Sequence, residues 1–257
     1  MLEYSSSDGA ALAYRVAGPT GVPTLLFVHG WQADGRVWGA LVERLSKRFR
    51  CIVVDLRGAG HSSLAPGPYQ IARYAGDLSD AIEVLELDPL VLVGHSMGGT
   101  IAQRLAIDRP EAIEGLVLIA PVPAGGMPLS ENMLDMFRGT VTDDAKAARW
   151  LRALTVRELE PALSALLLAA ARGVPPDVAL ESFDAWRSAD FADEAATIET
   201  PTLILAPSAD RPEFARKHVG DVIAGSRFEV LAECGHYAPL ECPDAIAARI
   251  ARFVDEL

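Results

Sequence analysis

Positive charge is scarce in this chain. Lys and Arg number 23 against 35 Asp and Glu, a formal net charge of −12, and the isoelectric point is near 4.8. A nucleic-acid partner calls for a basic face, so the balance argues against one. Cysteine is scarce too. Cys51, Cys234 and Cys242 are the whole set; they cannot build a disulfide framework, and their odd count points to reduced thiols. Long apolar runs are missing. The longest, 166–171 (LLLAAA), is far below the roughly 20 residues of a membrane span. The opening MLEYSSSDGA has neither the basic nor the apolar region of a signal peptide. A cytoplasmic protein with no membrane partner is the expectation. Internal repeats and low-complexity tracts are also absent.

What is present reads as globular. Half of the 257 residues are hydrophobic and 23% are charged, a composition that folds rather than stays disordered. The length allows one large α/β domain or two smaller ones, and either buries a substantial core. Short apolar runs at 25–29 (LLFVH), 51–55 (CIVVD), 90–93 (LVLV), 116–119 (LVLI), 202–205 (TLIL) and 228–231 (FEVL) predict strands. Several are continuous rather than alternating, as strands buried on both faces of a parallel sheet are. Two further runs flank Asp8-Gly9, a hairpin turn.

Helices are predicted between them. They cover 37–47, 71–87 (ending before Asp88-Pro89), 97–109 and 212–224, and a last one runs from Pro243 to Phe253 or beyond. Strand and helix in alternation imply a mostly parallel, doubly wound sheet. From 121 to 193 the rhythm breaks. This stretch of about 70 residues has no strand pattern and is too long for a loop; 143–154 and 161–172 read as helices. Its Met127, Met133, Met136, Trp150, Phe183 and Trp186 either pack the insertion onto the body or line an apolar pocket beneath a lid.

The chemistry centres on Gly94-His95-Ser96-Met97-Gly98-Gly99, at the end of one predicted strand and the start of a helix. A turn this tight strains the central serine and leaves no room for side chains two positions either way, hence Gly94 and Gly98. It lifts the Ser96 hydroxyl above the sheet and leaves the Met97 N–H at a helix N-terminus, where an oxyanion is stabilised. A serine needs a base to become a nucleophile. Of His29, His61, His95, His218 and His236, only His236 follows the last strand in a loop at the same sheet edge. His218 falls mid-helix, His61 in a glycine-rich loop, and His95 and His29 read as packing or loop-holding residues. The base needs a carboxylate. Asp210, in Pro207-Ser208-Ala209-Asp210, gives the order Ser…Asp…His; Glu233 is near His236 in sequence, but proximity in sequence does not orient a side chain. In His29-Gly30-Trp31 the Trp31 N–H is the second oxyanion donor, and its indole belongs to the acyl pocket or to the core. A metal reading of Cys234, His236 and Cys242 matches no zinc spacing.

HGW at 29–31, DLRGAGHS at 55–62, GHSMGG at 94–99, the acid at 210 and GHY at 235–237 resemble an α/β-hydrolase with a helical cap. The likeness is to small bacterial carboxylesterases, enol-lactonases and cofactor-free perhydrolases, over nearly the whole chain. It implies an eight-stranded, mostly parallel sheet flanked by helices, with a core of 1–120 and 194–257 and a cap of 121–193. It also implies Ser96, Asp210 and His236 as triad, Trp31 and Met97 as backbone donors, no cofactor and no metal. The relatives usually carry glycine where Pro207 stands, which puts the path of the acid loop in question. Serine at 96, where epoxide hydrolases and haloalkane dehalogenases of this fold use aspartate, excludes an alkyl-enzyme ester.

The expected function is therefore hydrolysis of a small-to-medium carboxylic ester or lactone through an acyl-enzyme. C–C bond hydrolysis or perhydrolysis by the same triad stays open, as does a receptor or inactive scaffold that keeps the fold. The single-glycine HGW loop, by resemblance, suggests compact acyl groups. Between 122 and 191 stand seven Arg and Lys against ten Asp and Glu, so the cap as a whole does not steer anions. The partner is a small-molecule substrate, and monomer and homodimer are both open.

Overall fold

The computed structural model describes residues 1–87, 89–156 and 158–257. Asp88, expected just after the second helix, and Arg157, one of the seven cations counted between 122 and 191, lie outside the described residues. Eight strands form one sheet: β1 (Leu2–Ser5), β2 (Ala11–Ala17), β3 (Thr24–Val28), β4 (Arg50–Val54), β5 (Leu90–His95), β6 (Ile113–Ile119), β7 (Thr202–Pro207) and β8 (Arg227–Leu231). Their order is β1-β2-β4-β3-β5-β6-β7-β8. β1–β2 and β2–β4 are antiparallel and every other pair is parallel. The α/β class and the mostly parallel eight-stranded sheet are as expected.

The continuous apolar runs are the central strands, buried on both faces. Leu26, Val28, Leu92, Leu116 and Leu118 face one cluster with α2 (Ile71–Val84) and α3 (Met97–Asp108). Leu25, Phe27, Val91, Val93 and Val117 face the other with α1 (Gly39–Leu45) and α11 (Pro243–Asp255). Each such side chain contributes about 1.5–3 kcal/mol on full burial. Both faces of β5 are apolar, so its register is fixed by the fit of leucines on one face and valines on the other against their own helices rather than by burial alone. The register sets the site: Val28 pairs with Gly94 and His95 with Ile119, which places the loops after β3, β5 and β6 side by side.

Three predicted helices are shorter than expected, that at 71–87 ending as α2 at Val84. The one at 37–47 opens as a 3-10 turn over Gly35–Trp38 before α1. That at 212–224 is only α9 (Pro212–Ala215), continued by a π turn over Arg216–Gly220. Between β6 and β7 the regular elements among the described residues are all helices: α4 (Glu131–Thr142), α5 (Asp144–Leu154), α6 (Pro161–Gly173), α7 (Pro176–Arg187) and the short α8 (Ala192–Ala195). Among the described residues no single helix is long and apolar enough to cross a membrane.

The cysteines correct the sequence reading. Cys234 and Cys242 form a disulfide, with Cα atoms 6.3 Å apart, and only Cys51 is a free, buried thiol. The chain turns back through α10 (Ala238–Glu241), which brings two residues eight apart into disulfide range; an odd count carries no sign of that turn. The bond removes the thiol argument for a reducing compartment, and neither sulfur is left as a thiolate for a metal. Burial pushes the Cys51 thiol up to about 12.

Candidate active site

Ser96 joins β5 to α3 with φ 55° and ψ −122°, a backbone that L-residues adopt only under constraint. A Cβ on Gly94 would lie 2.4 Å from the Gly98 carbonyl oxygen, and one on Gly98 would lie 2.3 Å from that of Val28 and 2.5 Å from that of His29. Both glycines are thus required by backbone, which cannot swing aside as a side chain can. Gly98→Ala is expected to cost about 3 kcal/mol, from overpacking against β3; equal urea midpoints for variant and wild type would contradict it.

His236 stands in the loop between β8 and α10. Its Nε2 is 3.1 Å from Ser96 Oγ, and its Nδ1–H donates to Asp210 Oδ2 at 2.6 Å. That bond fixes the tautomer and turns the Nε2 lone pair toward the serine. The loop is tied on three sides. The His236 N–H donates to the Leu154 carbonyl at 2.7 Å, and His95 Nε2–H donates to the His236 carbonyl at 2.8 Å. Glu241 accepts from the N–H groups of Val156 and Gly235.

Asp210 follows β7, whose last residue, Pro207, pairs with Leu231 of β8. The Asp210 N–H donates to the Pro207 carbonyl at 3.0 Å and that of Ala209 to Cys234 at 3.2 Å. Proline in place of the expected glycine therefore still delivers the carboxylate. Burial alone would raise the Asp210 carboxyl. Attraction to His236, the hydrogen bond from it and the charge of Arg211 outweigh burial and hold it below the ordinary carboxylate range.

The loop after β3 is braced by His29. Its Nδ1–H donates to the Gly30 carbonyl at 2.9 Å, while its Nε2 accepts the Leu56 N–H at 3.0 Å. Leu56 belongs to the 55–62 motif, in which the Asp55 carboxylate accepts the N–H groups of Gly35 and His61. A Cβ on Gly30 would sit 2.9 Å from Ser96 Cβ, so this loop abuts the serine. Among the described residues, neither the Trp31 nor the Met97 backbone N–H is used in a turn, loop or cap hydrogen bond. The Trp31 indole N–H donates to the Ala179 carbonyl of α7 at 2.8 Å, and its ring packs against Phe137 and Phe183.

Two of the bracing histidines are buried as neutral rings. Burial, then repulsion from His236, pushes His95 down to about 3, and burial likewise lowers His29. In the unfolded chain both return to near 6.5. Between the folded and unfolded values only the unfolded chain takes the proton. Their contribution to stability is therefore complete above about pH 6.5 and is lost as pH falls through that window, at up to about 1.4 kcal/mol per pH unit for His95, with His29 acting in the same direction. Urea midpoints are expected to fall steadily from pH 6.5 to 5; a flat profile would count against neutral burial.

A cavity of about 350 Å³ opens above Ser96 and His236. Of the predicted pocket residues Trp31, Met127, Met133, Trp150 and Trp186 line it. Met136 does not: α4 turns Met133 and Phe137, four residues apart, to the cavity, while Met136 packs against the core. Phe183 is buried behind Trp31. Sequence reasoning missed Phe137, Leu154, Arg211, Phe214 and Tyr237. Helical spacing from Met133 signals the first, and adjacency to Asp210 and His236 signals Arg211 and Tyr237. Apart from Glu86, every non-glycine residue with positive φ among those described (Gln32, Ser96, Ala120, Arg211 and Glu233) lies in a loop at this sheet edge. Strain concentrated in this way marks a functional site.

The profile of the alpha/beta hydrolase family matches residues 25–249. An uncharacterised protein of Mycobacterium tuberculosis is 32% identical over 133 residues, which are 52% of this chain and 38% of that one; the chain spans well under half of that relative. A pimeloyl-[acyl-carrier protein] methyl ester esterase of Stenotrophomonas maltophilia is 28% identical, with 91% of this chain and 94% of that one covered. The crystal structure of the enol-lactonase from Burkholderia xenovorans LB400 superposes with a TM-score of 0.88 at 26% identity, covering 99% of this chain and 100% of that one. Sequence, sheet order and elbow agree: the chain belongs to the alpha/beta hydrolase family.

Proposed function

We propose that this protein is a serine hydrolase that cleaves a small-to-medium carboxylic ester or lactone through an acyl-enzyme. The observation that carries the reading is the relay from Ser96 Oγ to His236 Nε2 at 3.1 Å and from His236 Nδ1 to Asp210 at 2.6 Å. The esterase and lactonase names of its relatives support the substrate class.

In this reading His236 takes the Ser96 proton as Oγ attacks the carbonyl carbon. The Trp31 and Met97 N–H groups receive the oxyanion, and each donor lowers the barrier by about 3–4 kcal/mol. Collapse of the tetrahedral species expels the alkoxide, which takes the proton from His236. Water, deprotonated by the same imidazole, then attacks the acyl-enzyme and releases the acid. Asp210 stays ionised and stabilises the imidazolium. The helices between β6 and β7 act as the cap, and their apolar side chains keep bulk water from the acyl-enzyme.

A fluorophosphonate probe tests the nucleophile. Stoichiometric labelling of the native protein and none of Ser96→Ala is expected. Absence of native labelling would favour a binding protein that keeps the fold. A series of p-nitrophenyl esters of rising chain length, together with lactones, then reads the acyl range.

A further inference from the structure

The cavity wall carries two formal charges, Asp210 and Arg211. The Asp210 charge is engaged with His236. Arg211 has no carboxylate within salt-bridge distance among the described residues, and of the other arginines in that state (Arg15, Arg50, Arg149, Arg152 and Arg216) none lines this cavity. The Arg211 guanidinium is held by uncharged groups instead. It lies over the Phe214 ring, 5.4 Å from the centroid, and its Nη2 is 3.6 Å from Met127 Sδ. Phe214 and Met127 both line the same cavity. The backbone at Arg211 is left-handed, with φ 48° and ψ 60°, a setting that strains a non-glycine residue. The chain thus accepts strain to present a cation, oriented but not neutralised, at the edge of the space above the serine.

We propose that Arg211 selects substrates bearing a carboxylate remote from the scissile carbonyl: half-esters of dicarboxylic acids, or lactones with an acidic side chain. This rests on the hydrolase reading of the same cavity. The physical need is clear. A net charge of −12 and the Asp210 carboxylate in the wall both repel an anion, so an anionic substrate enters only against a local cation. Arginine suits the task, because its planar fork meets a carboxylate in a bidentate pair and its weak hydration tolerates an aromatic neighbour. Beyond the reacting groups and Tyr237 the cavity is walled by indole and phenyl rings, methionines and aliphatic groups, which accommodate a methylene chain between the two ends. Selection acts on binding, so it is read chiefly in KM.

The test uses two esters that differ only at the far end, mono-p-nitrophenyl adipate and p-nitrophenyl hexanoate. The wild type is expected to favour the adipate in kcat/KM. Arg211→Gln is expected to lower the adipate-to-hexanoate ratio by about tenfold to a hundredfold, and Arg211→Lys to restore part of it. In parallel, monomethyl adipate and methyl hexanoate are titrated into Ser96→Ala protein, with and without Arg211→Gln, and read by fluorescence of the cavity tryptophans. Ser96-dependent hydrolysis of both esters with no preference, or with equal losses in Arg211→Gln, would overturn the Arg211 assignment and leave the hydrolase reading standing. Arg211-dependent binding of monomethyl adipate without hydrolysis of either ester would overturn the hydrolase reading and keep the anion site. Neither binding nor hydrolysis would overturn both.

Discussion

Ser96→Ala is expected to lower kcat on p-nitrophenyl esters by about 10⁶-fold, the scale seen when a serine nucleophile of an unrelated fold is removed. The loss is this large because no thiol lines the cavity and its other hydroxyl, that of Tyr237, is kept protonated by burial. The two sulfurs nearest the base in sequence are bonded to each other as Cys234–Cys242, and Cys51 is buried in β4 with its thiol pushed up to about 12. Activity that survives would come from the oxyanion donors acting on water, a residue of about 10³–10⁴ over the uncatalysed rate. The substitution removes one oxygen at a site that is 9% exposed and leaves the strained backbone to the same neighbours, so stability should change little. More than 1% of wild-type kcat in a preparation free of wild-type enzyme, with an unchanged urea midpoint, would show that the hydroxyl is not the nucleophile.

Asp210→Asn is expected to lower kcat by about 10⁴-fold, the effect of the same change in serine proteases. The cause lies in the 2.6 Å bond between the carboxylate and His236 Nδ1. A carboxylate accepts only, so Nδ1 keeps the proton and Nε2 is free to take one from Ser96. An asparagine can turn its NH₂ toward Nδ1; the ring proton then moves to Nε2, which can no longer act as base at 3.1 Å from Oγ. The ordinary negative charge that offsets the imidazolium is lost as well. Because binding groups are untouched, KM should stay within a few-fold. Full activity in this variant would remove Asp210 from the reaction and turn attention to Glu233.

Much of this was legible in the sequence because it depends on local rules. Continuous apolar runs are what a doubly covered parallel strand requires, and β3 to β7 fall on them. The elbow is legible because backbone, not side chains, fills the space beside Gly94 and Gly98, so only glycine fits. The order Ser96, Asp210, His236 follows from sheet topology, which carries all three loops to one edge. What was not legible depends on where the chain returns. The disulfide needs the turn through α10, which no spacing rule encodes. Met136 and Phe137 are neighbours in sequence, and the spacing from Met133 that selects Phe137 becomes readable only once packing against Trp31 and Trp150 shows which face of α4 meets the cavity. Arg211 sits beside the acid in plain view, but its lack of a carboxylate partner is a fact about other elements, and no sequence window contains it.

The helices over the cavity touch the reacting groups through backbone at two places. The Leu154 carbonyl holds the His236 N–H, and the Ala179 carbonyl holds the Trp31 indole. If these helices are the cap of the proposed hydrolase, anchors of this kind make it a roof rather than a hinged door. Lifting it whole would pull on the proposed base and on the loop after β3 together. In that reading substrate and product pass along the rim with both anchors kept, and the roof limits girth while length extends toward the rim.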